Sequence, residues 1–299
     1  MTVEKKKFTV EEDGFYGELF KSEKEKYPNK ALVLCTGSDG EGAFSSEIVK
    51  VLNENGITIL IIGFHDVPGT PEGIIEVPLE YSEKAAQYLN SIGYKKLGFF
   101  SCSMGSIFAL LSVSYFPELF NLVIISSPLN YVYQAVNPNK RRIIEGKSSY
   151  TYRGKPIPYE PNTRKMSFRN FMIDSIKRGD MSNAYLYEEL VTTAKEENLV
   201  PVEKMKAHVL IFSGKMDIYW PSEKSSEMIM NRLKKYNYSY PYEHISYDHA
   251  GHFLFPISVK KSSIATMAKF FKAYRKYPEE NEQYATEVLN KMIEYFEAF

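Results

Sequence analysis

Cysteine is scarce in this 299-residue sequence, which contains only Cys35 and Cys102. Both lie in or beside short apolar runs, so we expect no disulfide framework and a reducing, cytoplasmic location. Long apolar runs are also missing, because no stretch reaches the ~18 to 20 residues of a membrane-spanning helix. The charged amino-terminal stretch lacks the apolar centre of a signal peptide, which again indicates a cytoplasmic protein.

An excess of charge of one sign is absent as well. Lysine plus arginine and aspartate plus glutamate number 37 each, so the formal net charge is zero. Such a chain has no overall field that favours nucleic acid or an anionic membrane surface. Apolar residues at 44% and charged residues at 25% are typical of a globular protein. Without an internal repeat or a low-complexity linker, residues 1–299 are expected to form a single domain.

Strand and helix patterns alternate along most of the chain. Residues 6–21 predict a two-stranded hairpin that turns at Asp13-Gly14. Short apolar runs predict six further strands, at 31–37, 57–64, 96–100, 122–127, 208–214 and 242–247. Helical spacing is found at 44–55, 78–93, 104–116, 222–236, 262–277 and 278–299. This order predicts an α/β fold: an eight-stranded, mostly parallel sheet with helices on both faces.

One interval, residues 128–206, interrupts this alternation. It contains no buried-strand run, is rich in tyrosine, asparagine, basic residues and proline, and has a hairpin pattern in "YTYRGKPIPY" at 150–159. A structureless loop of that length is improbable inside a compact domain. We therefore predict a cap, inserted between the sixth and seventh strands over the carboxyl-terminal edge of the sheet.

The turn after the fifth predicted strand, Ser-Cys-Ser-Met-Gly, is similar to the G-x-S-x-G pattern of a nucleophile elbow. Crowding in that turn admits only small side chains two residues on either side of the nucleophile. Ser103 satisfies this requirement, with Ser101 and Gly105 at the flanks. Centring the pattern on Cys102 or Ser106 would place a large side chain at a flank. The register therefore selects Ser103 as nucleophile, and a helix N-cap is its structural alternative.

A serine nucleophile needs a base, and that base needs an acid to orient it. On this type of sheet the acid precedes the histidine in the chain. Asp217 directly follows the seventh predicted strand, and His252 lies in the loop after the eighth. His249 competes in the same loop, but the small pair Ala250-Gly251 permits a tight turn before His252. Asp217 has an alternative role as a turn cap, and the three other histidines are expected to be structural or exposed.

An oxyanion formed by attack of the serine needs preorganised N–H donors. One is predicted to be the backbone N–H of Met104, and the other to come from the glycine-rich turn after the third strand. We predict Ser38 as that second donor and Asp39 as the next candidate, with Gly37 and Gly40 allowing close approach of the backbone. The turn lacks the Lys-Ser/Thr of a phosphate-binding P-loop. The predicted chemistry requires no metal and no organic cofactor.

These motifs make residues 30–260 resemble the α/β-hydrolase superfamily. More narrowly, the sequence resembles the catalytic domain shared by acyl-CoA thioesterases and bile-acid-CoA:amino-acid N-acyltransferases, close to the dienelactone hydrolases. The resemblance is carried by "TGSDGEG", "VPLEYSEKAAQYL", "SCSMGS", "YRGKPIPYEP", "VEKMKAHVLIFSGKMDIYWPSE" and "YDHAGHFLFP". It implies Ser103 as nucleophile, Asp217 as acid and His252 as base. Ser101 replaces the first elbow glycine, and Met104 stands where the family commonly has a lysine.

The sequence thus predicts a serine hydrolase that cleaves a small-molecule ester or acyl thioester through an acyl-enzyme. Two alternatives stay open: acyl transfer to an amine, for which the related branch has cysteine at the nucleophile position, and a non-catalytic binding protein on the same scaffold. Candidate acyl-pocket residues lie in the predicted cap: Tyr131, Tyr133, Tyr150, Tyr152, Phe168, Phe171 and Met172. The basic run at 140–142 is expected to be solvated surface, with contact to CoA phosphates as the alternative.

Overall fold

The computed structural model describes residues 5–37, 44–140, 142–161, 172, 173, 176, 184–268 and 270–299. Within these residues the strands are β1 Lys5–Phe8, β2 Tyr16–Phe20, β3 Lys30–Cys35, β4 Thr58–Gly63, β5 Val77–Pro78, β6 Lys96–Cys102, β7 Leu122–Ser126, β8 Gln134–Asn137, β9 Arg142–Ser148, β10 Tyr150–Tyr152, β11 Lys155–Pro156, β12 His208–Gly214 and β13 Tyr242–Tyr247. The α-helices are α1 Val10–Asp13, α2 Ser45–Glu54, α3 Glu80–Ser91, α4 Met104–Tyr115, α5 Tyr185–Thr193, α6 Ser222–Lys235, α7 Ile264–Ala268, α8 Lys272–Lys276 and α9 Pro278–Ala298.

Eight strands form the large sheet, in the order β1-β2-β4-β3-β6-β7-β12-β13. The six strands from β4 to β13 run parallel to one another, while β2 is antiparallel to both β4 and β1. The α/β fold predicted from the alternation of strands and helices, with an eight-stranded and mostly parallel sheet, is therefore present. Because β6, β12 and β13 are parallel, the loops that follow them open on the same edge of the sheet.

Side chains of the central strands alternate between two apolar layers, as the two-residue period of a strand requires. In β3, Ala31 and Val33 pack on one face, and Leu32 and Leu34 pack on the other. Helices α3, α4 and α6 cover the first face, whereas α2 and α9 cover the second. Both faces are thus buried, which explains why the predicted strands read as continuous apolar runs.

The amino-terminal hairpin is present, but its two-residue turn at Asp13-Gly14 was predicted wrongly. The strands β1 and β2 are joined through helix α1, whose N-cap Thr9 accepts a hydrogen bond from the N–H of Glu12. Gly14 ends the helix with φ of 79°, a conformation that glycine adopts without steric cost. Local capping by Thr9 therefore outcompetes the tight turn.

The described part of 128–206 contains short strands, including the predicted hairpin. Strands β10 and β11 pair across Arg153 and Gly154, both of which have positive φ. Strand β10 also pairs in parallel with β5, and this ties the segment to the chain just before α3. The other strands of the segment, β8 and β9, pair with each other.

Near the carboxyl terminus, the single helix predicted over 262–277 is instead two short helices, α7 and α8. Phe271 directly precedes α8 with extended backbone angles, φ of −105° and ψ of 130°. The long helix α9 then begins at Pro278, where proline is favourable. Among the helices of the described residues, none has both the length and the apolar character needed to cross a membrane.

Candidate active site

Ser103 lies in the sharp turn between β6 and α4, at the carboxyl edge of the sheet. Its backbone has φ of 53° and ψ of −131°, which is a strained combination for a residue with a Cβ atom. The turn is held by two backbone hydrogen bonds, from the Ser103 N–H to Ser126 O at 3.1 Å and from the Ser106 N–H to Ser103 O at 3.0 Å. These two hydrogen bonds hold the strained backbone of Ser103 in place.

Small residues around Ser103 are required by backbone crowding. A Cβ atom on Gly105 would lie 2.0 Å from the carbonyl oxygen of Thr36 and 2.6 Å from Ser101 Oγ. Serine is accommodated at position 101 because its hydroxyl lies 3.2 Å from Cys35 Sγ in the buried space between β6 and β3. The missing first glycine of the elbow pattern therefore does not disturb the turn. Cys102 points away from it, into the layer covered by α2 and α9.

The structure brings together the three side chains selected from the sequence. His252 Nε2 lies 2.8 Å from Ser103 Oγ, and His252 Nδ1 lies 2.8 Å from one oxygen of Asp217 and 3.0 Å from the other. A carboxylate only accepts hydrogen bonds, so Nδ1 carries the proton and Nε2 is left to accept from the serine hydroxyl. Ser103 stands at the helix N-cap position, but its side chain makes no capping hydrogen bond.

Asp217 is held rigidly behind the histidine. Its side chain is 2% exposed, and its Oδ1 also accepts the N–H groups of Tyr219 and Trp220. The turn-cap role considered for this residue and its contact with His252 thus occur together. A carboxylate fixed by two backbone donors cannot rotate away from the imidazole without losing those bonds.

The loops that carry the acid and the histidine are joined directly to each other. The Met216 N–H donates to Ala250 O at 3.0 Å, and a Cβ on Gly214 would lie 2.3 Å from that same oxygen. A Cβ on Gly251 would lie 2.8 Å from the ring of Tyr274. Gly214 and Gly251 therefore lack a side chain because other groups approach them closely. Ser127 adds a hydrogen bond from its hydroxyl to His252 O at 2.8 Å.

Aromatic rings enclose the imidazole of His252. Trp220 lies parallel to it, with the ring centroids 6.4 Å apart, and Tyr219 lies at 4.9 Å. Burial, together with the nearby Asp217 charge, raises the pKa of Tyr219. These rings shield the hydrogen bond between His252 and Asp217 from water. The sequence alone did not identify either aromatic residue as part of the site, because an aromatic residue after a strand is common in any core.

Of the predicted pocket set, Tyr150 contacts the elbow and Tyr133 contacts Tyr150. The Tyr150 hydroxyl donates to Met104 O at 3.0 Å and lies 3.0 Å from the Tyr133 hydroxyl. Burial raises the pKa of both phenols, so both keep their protons near neutrality. Tyr152 packs instead on Tyr115 and on Phe116, near the far end of α4.

The remaining predicted site residues are distributed as follows. Met104 is the first residue of α4, where a helix N–H has no partner within the helix. Ser38 and Asp39, the predictions for the second oxyanion donor, lie outside the described residues, as do Phe168 and Phe171. His249 turns away from Ser103: its Nδ1 lies 2.6 Å from Glu280 Oε2, and its ring stacks on Tyr277 at 3.8 Å.

Comparison with known proteins places the chain in a family. Residues 77–288 match the family model described as BAAT / Acyl-CoA thioester hydrolase C terminal. A mouse peroxisomal succinyl-coenzyme A thioesterase is 23% identical over 208 residues, which are 68% of this chain and 44% of that protein. A mouse acyl-coenzyme A amino acid N-acyltransferase 1 is also 23% identical, over 69% of this chain and 44% of that protein. The chain thus spans less than half the length of these relatives.

Among solved structures, a Klebsiella pneumoniae protein assigned as a dienelactone hydrolase superposes over the full length of both chains. Its TM-score is 0.60 at 12% sequence identity, a likeness that shows the shared fold. Together with the family match across most of the chain, the fold confirms the resemblance found in the motifs. The chain belongs to the BAAT / acyl-CoA thioester hydrolase C-terminal family.

Proposed function

We propose that this protein is a serine hydrolase that cleaves a small-molecule carboxylic ester or acyl thioester, with Ser103, His252 and Asp217 as its catalytic triad. The observation that carries the proposal is the unbroken line of hydrogen-bonding distances, 2.8 Å from Ser103 Oγ to His252 Nε2 and 2.8 Å from His252 Nδ1 to Asp217. Burial of the imidazole and of the carboxylate supports the same assignment.

In the first half of the reaction, Ser103 Oγ attacks the carbonyl carbon while His252 Nε2 takes the hydroxyl proton. Asp217 stabilises the imidazolium and keeps the Nδ1 proton. The negative charge on the carbonyl oxygen is held by the N–H of Met104 and by a second donor, which we assign to Ser38. Collapse of this intermediate expels the alcohol or thiol, which receives the proton from His252 Nε2.

In the second half, water replaces the leaving group. His252 removes a proton from the water as it attacks the acyl-Ser103 carbonyl, and returns that proton to Ser103 Oγ when the carboxylic acid leaves.

We propose that residues 128–206 act as the cap that closes over this reaction. Tyr133 and Tyr150 support such a role, since Tyr150 reaches the elbow and Tyr133 lies 6.2 Å from Trp220 between ring centroids.

Acyl transfer to an amine is the second candidate, favoured by the similarity to the mouse N-acyltransferase. The two reactions share the acyl-Ser103 intermediate and differ in the group that attacks it. Serine at position 103 favours water as the acceptor, because an oxygen ester reacts with amines less readily than a thioester does. A Ser103→Cys variant is expected to gain aminolysis relative to hydrolysis if the active site also admits an amine.

The test is a substrate panel run on the wild-type protein and on Ser103→Ala. p-Nitrophenyl esters of increasing chain length and acyl-CoA thioesters are assayed with and without glycine, and the products are separated by mass. We expect wild-type turnover of one class, with a carboxylic acid as product, and background rates for Ser103→Ala. N-acylglycine as the main product would favour transferase activity. Equal rates for the two proteins would contradict the proposed role of Ser103.

A further inference from the structure

A second histidine–carboxylate pair, in which the imidazole is buried, lies next to the elbow and takes no part in the proton transfers above. His65 follows β4 and is fully buried. Its Nδ1 lies 2.8 Å from Asp66 Oδ2, and its Nε2 lies 3.2 Å from the carbonyl oxygen of Gly37. Gly37 follows β3, so this contact joins the ends of two neighbouring strands at the same edge as Ser103.

The hydrogen-bond partners fix where the protons of His65 lie. A carbonyl oxygen only accepts, so Nε2 must carry a proton to bind Gly37 O. Nδ1 faces a carboxylate oxygen at 2.8 Å, and two lone-pair atoms at that distance need a proton between them. The other oxygen of Asp66 is occupied by the N–H of Gly73 at 3.0 Å. The pair therefore presents one N–H outward, towards Gly37.

Gly37 lies beside the nucleophile. A Cβ atom on Gly37 would lie 3.0 Å from Ser103 Cβ and 3.4 Å from Ser103 Oγ. The Gly37 carbonyl also belongs to the peptide group whose N–H is that of residue 38, the predicted second oxyanion donor. Because a peptide group is planar, a donor that holds the Gly37 carbonyl restricts the rotation of the whole group.

We propose that His65, oriented by Asp66, is a positioning residue for the oxyanion-binding backbone, acting through its Nε2–H on the Gly37 peptide. This inference rests on the proposed function of Ser103. Asp66 itself has a φ of 54°, a left-handed conformation that is tolerated by aspartate and asparagine. This backbone conformation places the Asp66 carboxylate beside the imidazole of the preceding residue.

Two substitutions separate the Nε2 contact from the packing of His65. His65→Gln places an amide nitrogen near the position of Nε2 and keeps a donor for Gly37 O. His65→Asn places its amide nitrogen near the position of Nδ1 and keeps only the contact with Asp66. Both remove the ring, so a purely structural role predicts similar losses of activity and thermal stability in the two variants.

We expect His65→Asn to lower kcat for a p-nitrophenyl ester by roughly 10- to 100-fold with KM little changed, because a misdirected oxyanion donor acts on the transition state. We expect His65→Gln to stay within about threefold of the wild type, as the conservative rescue that preserves the peptide's orientation. Equal kcat values for the two variants, whatever their melting temperatures, would overturn the proposal.

Asp66→Asn provides a variant suited to the local backbone, because asparagine accepts the left-handed conformation. Its oxygen can accept the Gly73 N–H while its amide donates to His65 Nδ1, which leaves Nε2–H directed at Gly37. We expect its kcat to fall less than that of His65→Asn. A larger fall would show that the charge of the pair, rather than the Nε2 donor, is what matters, and would overturn the proposal.

Nuclear magnetic resonance of ¹⁵N-histidine protein gives a readout that does not depend on turnover. We expect one exchange-protected Nε2–H signal that is lost in both His65 variants and kept in Asp66→Asn. Absence of a protonated His65 Nε2 in the wild type would overturn the proposed contact while leaving the role of Ser103 intact. A wild-type protein that neither hydrolyses an acyl substrate nor reacts at Ser103 would overturn the proposed function, and this inference with it.

Discussion

Two histidine–carboxylate pairs flank Ser103 in this protein, and they differ in what the outer imidazole nitrogen faces. In both pairs Nδ1 lies 2.8 Å from a carboxylate oxygen and the ring is buried. His252 Nε2 faces the hydroxyl of Ser103, which donates to it, whereas His65 Nε2 faces the carbonyl of Gly37, which only accepts. The first arrangement leaves a lone pair ready to take a proton, and the second holds a proton in place.

The comparison shows that a buried dyad does not define a catalytic base by itself. A third pair, His249 with Glu280, differs from both in exposure, because both of its side chains are more than one-third exposed. The hydrogen bond from His249 lowers the pKa of the Glu280 carboxyl. The expected roles of the three pairs therefore differ: the group that faces Nε2 distinguishes His252 from His65, and exposure distinguishes His249 from both.

The largest predicted effect follows from removing the lone pair of His252. His252→Gln is expected to lower kcat by about 10⁶-fold, because the serine hydroxyl loses its base. The measurement is steady-state hydrolysis of a p-nitrophenyl ester. His249→Gln is the matched control in the same loop and should remain within about twofold of the wild type. A comparable loss in both variants would mean that the loop, rather than the His252 base, was disrupted.

Asp217→Asn tests the orientation of the same ring. An amide nitrogen in place of the carboxylate oxygen favours a proton on Nε2, which would make His252 resemble His65 and face the serine with a donor. We expect kcat to fall by about 10⁴-fold with little change in KM. Asp66→Asn is the paired variant at the other dyad, and its loss is expected to be much smaller. The reverse ranking would contradict the roles assigned to the two pairs.

Gly105→Ala tests the backbone of the elbow that both pairs surround. Its added Cβ would lie 2.0 Å from Thr36 O, and backbone cannot retreat as a flexible side chain does. We expect the free energy of unfolding to fall by about 3 kcal/mol or more. Chemical denaturation measures this directly. Gly146→Ala is the control without a clash: a Cβ there meets nothing within 4 Å, and only the φ of 73° opposes it, at a cost of roughly 1 to 2 kcal/mol.

The smallest predicted effect concerns a histidine without a carboxylate dyad. Burial lowers the pKa of His244, against weaker opposing effects of Glu223 and Glu227. A histidine whose pKa is lower when folded binds fewer protons in the folded state. Its contribution to stability is therefore complete above the unfolded pKa of about 6.5 and declines as the pH falls below it. His244→Gln should reduce the loss of unfolding free energy between pH 7 and pH 5, and an unchanged loss would contradict this assignment.

The sequence predicted the parts of the fold and site that depend on local periodicity. Buried strands read as apolar runs, and parallel strands bring their carboxyl ends to one edge. Ser103, Asp217 and His252 could therefore be placed together before any distance was known. The choice of Ser103 within the elbow motif also depended only on adjacent residues in the chain, because the positions that flank the nucleophile must be small.

The rest depends on contacts between distant segments, which periodicity does not encode. His65 reads as the end of a strand, and its partner Gly37 lies 28 residues away. Tyr150 reaches Met104 across 46 residues. The predicted two-residue turn at Asp13-Gly14 is replaced by a short helix for a local reason, because Thr9 caps that helix. The assignment of Ser38 as second oxyanion donor stays a prediction, as do the cytoplasmic location and the cap.

Reaction of the intact protein with a fluorophosphonate probe, followed by peptide mass spectrometry, tests the central claim most directly. Such a probe phosphonylates a serine only when a base activates it and an oxyanion site accepts the phosphonyl oxygen. We predict one adduct, located on Ser103 by fragmentation of its peptide, and no adduct in Ser103→Ala or His252→Gln. An unlabelled wild-type protein, or an adduct on Ser101 or Ser106 instead, would contradict the account.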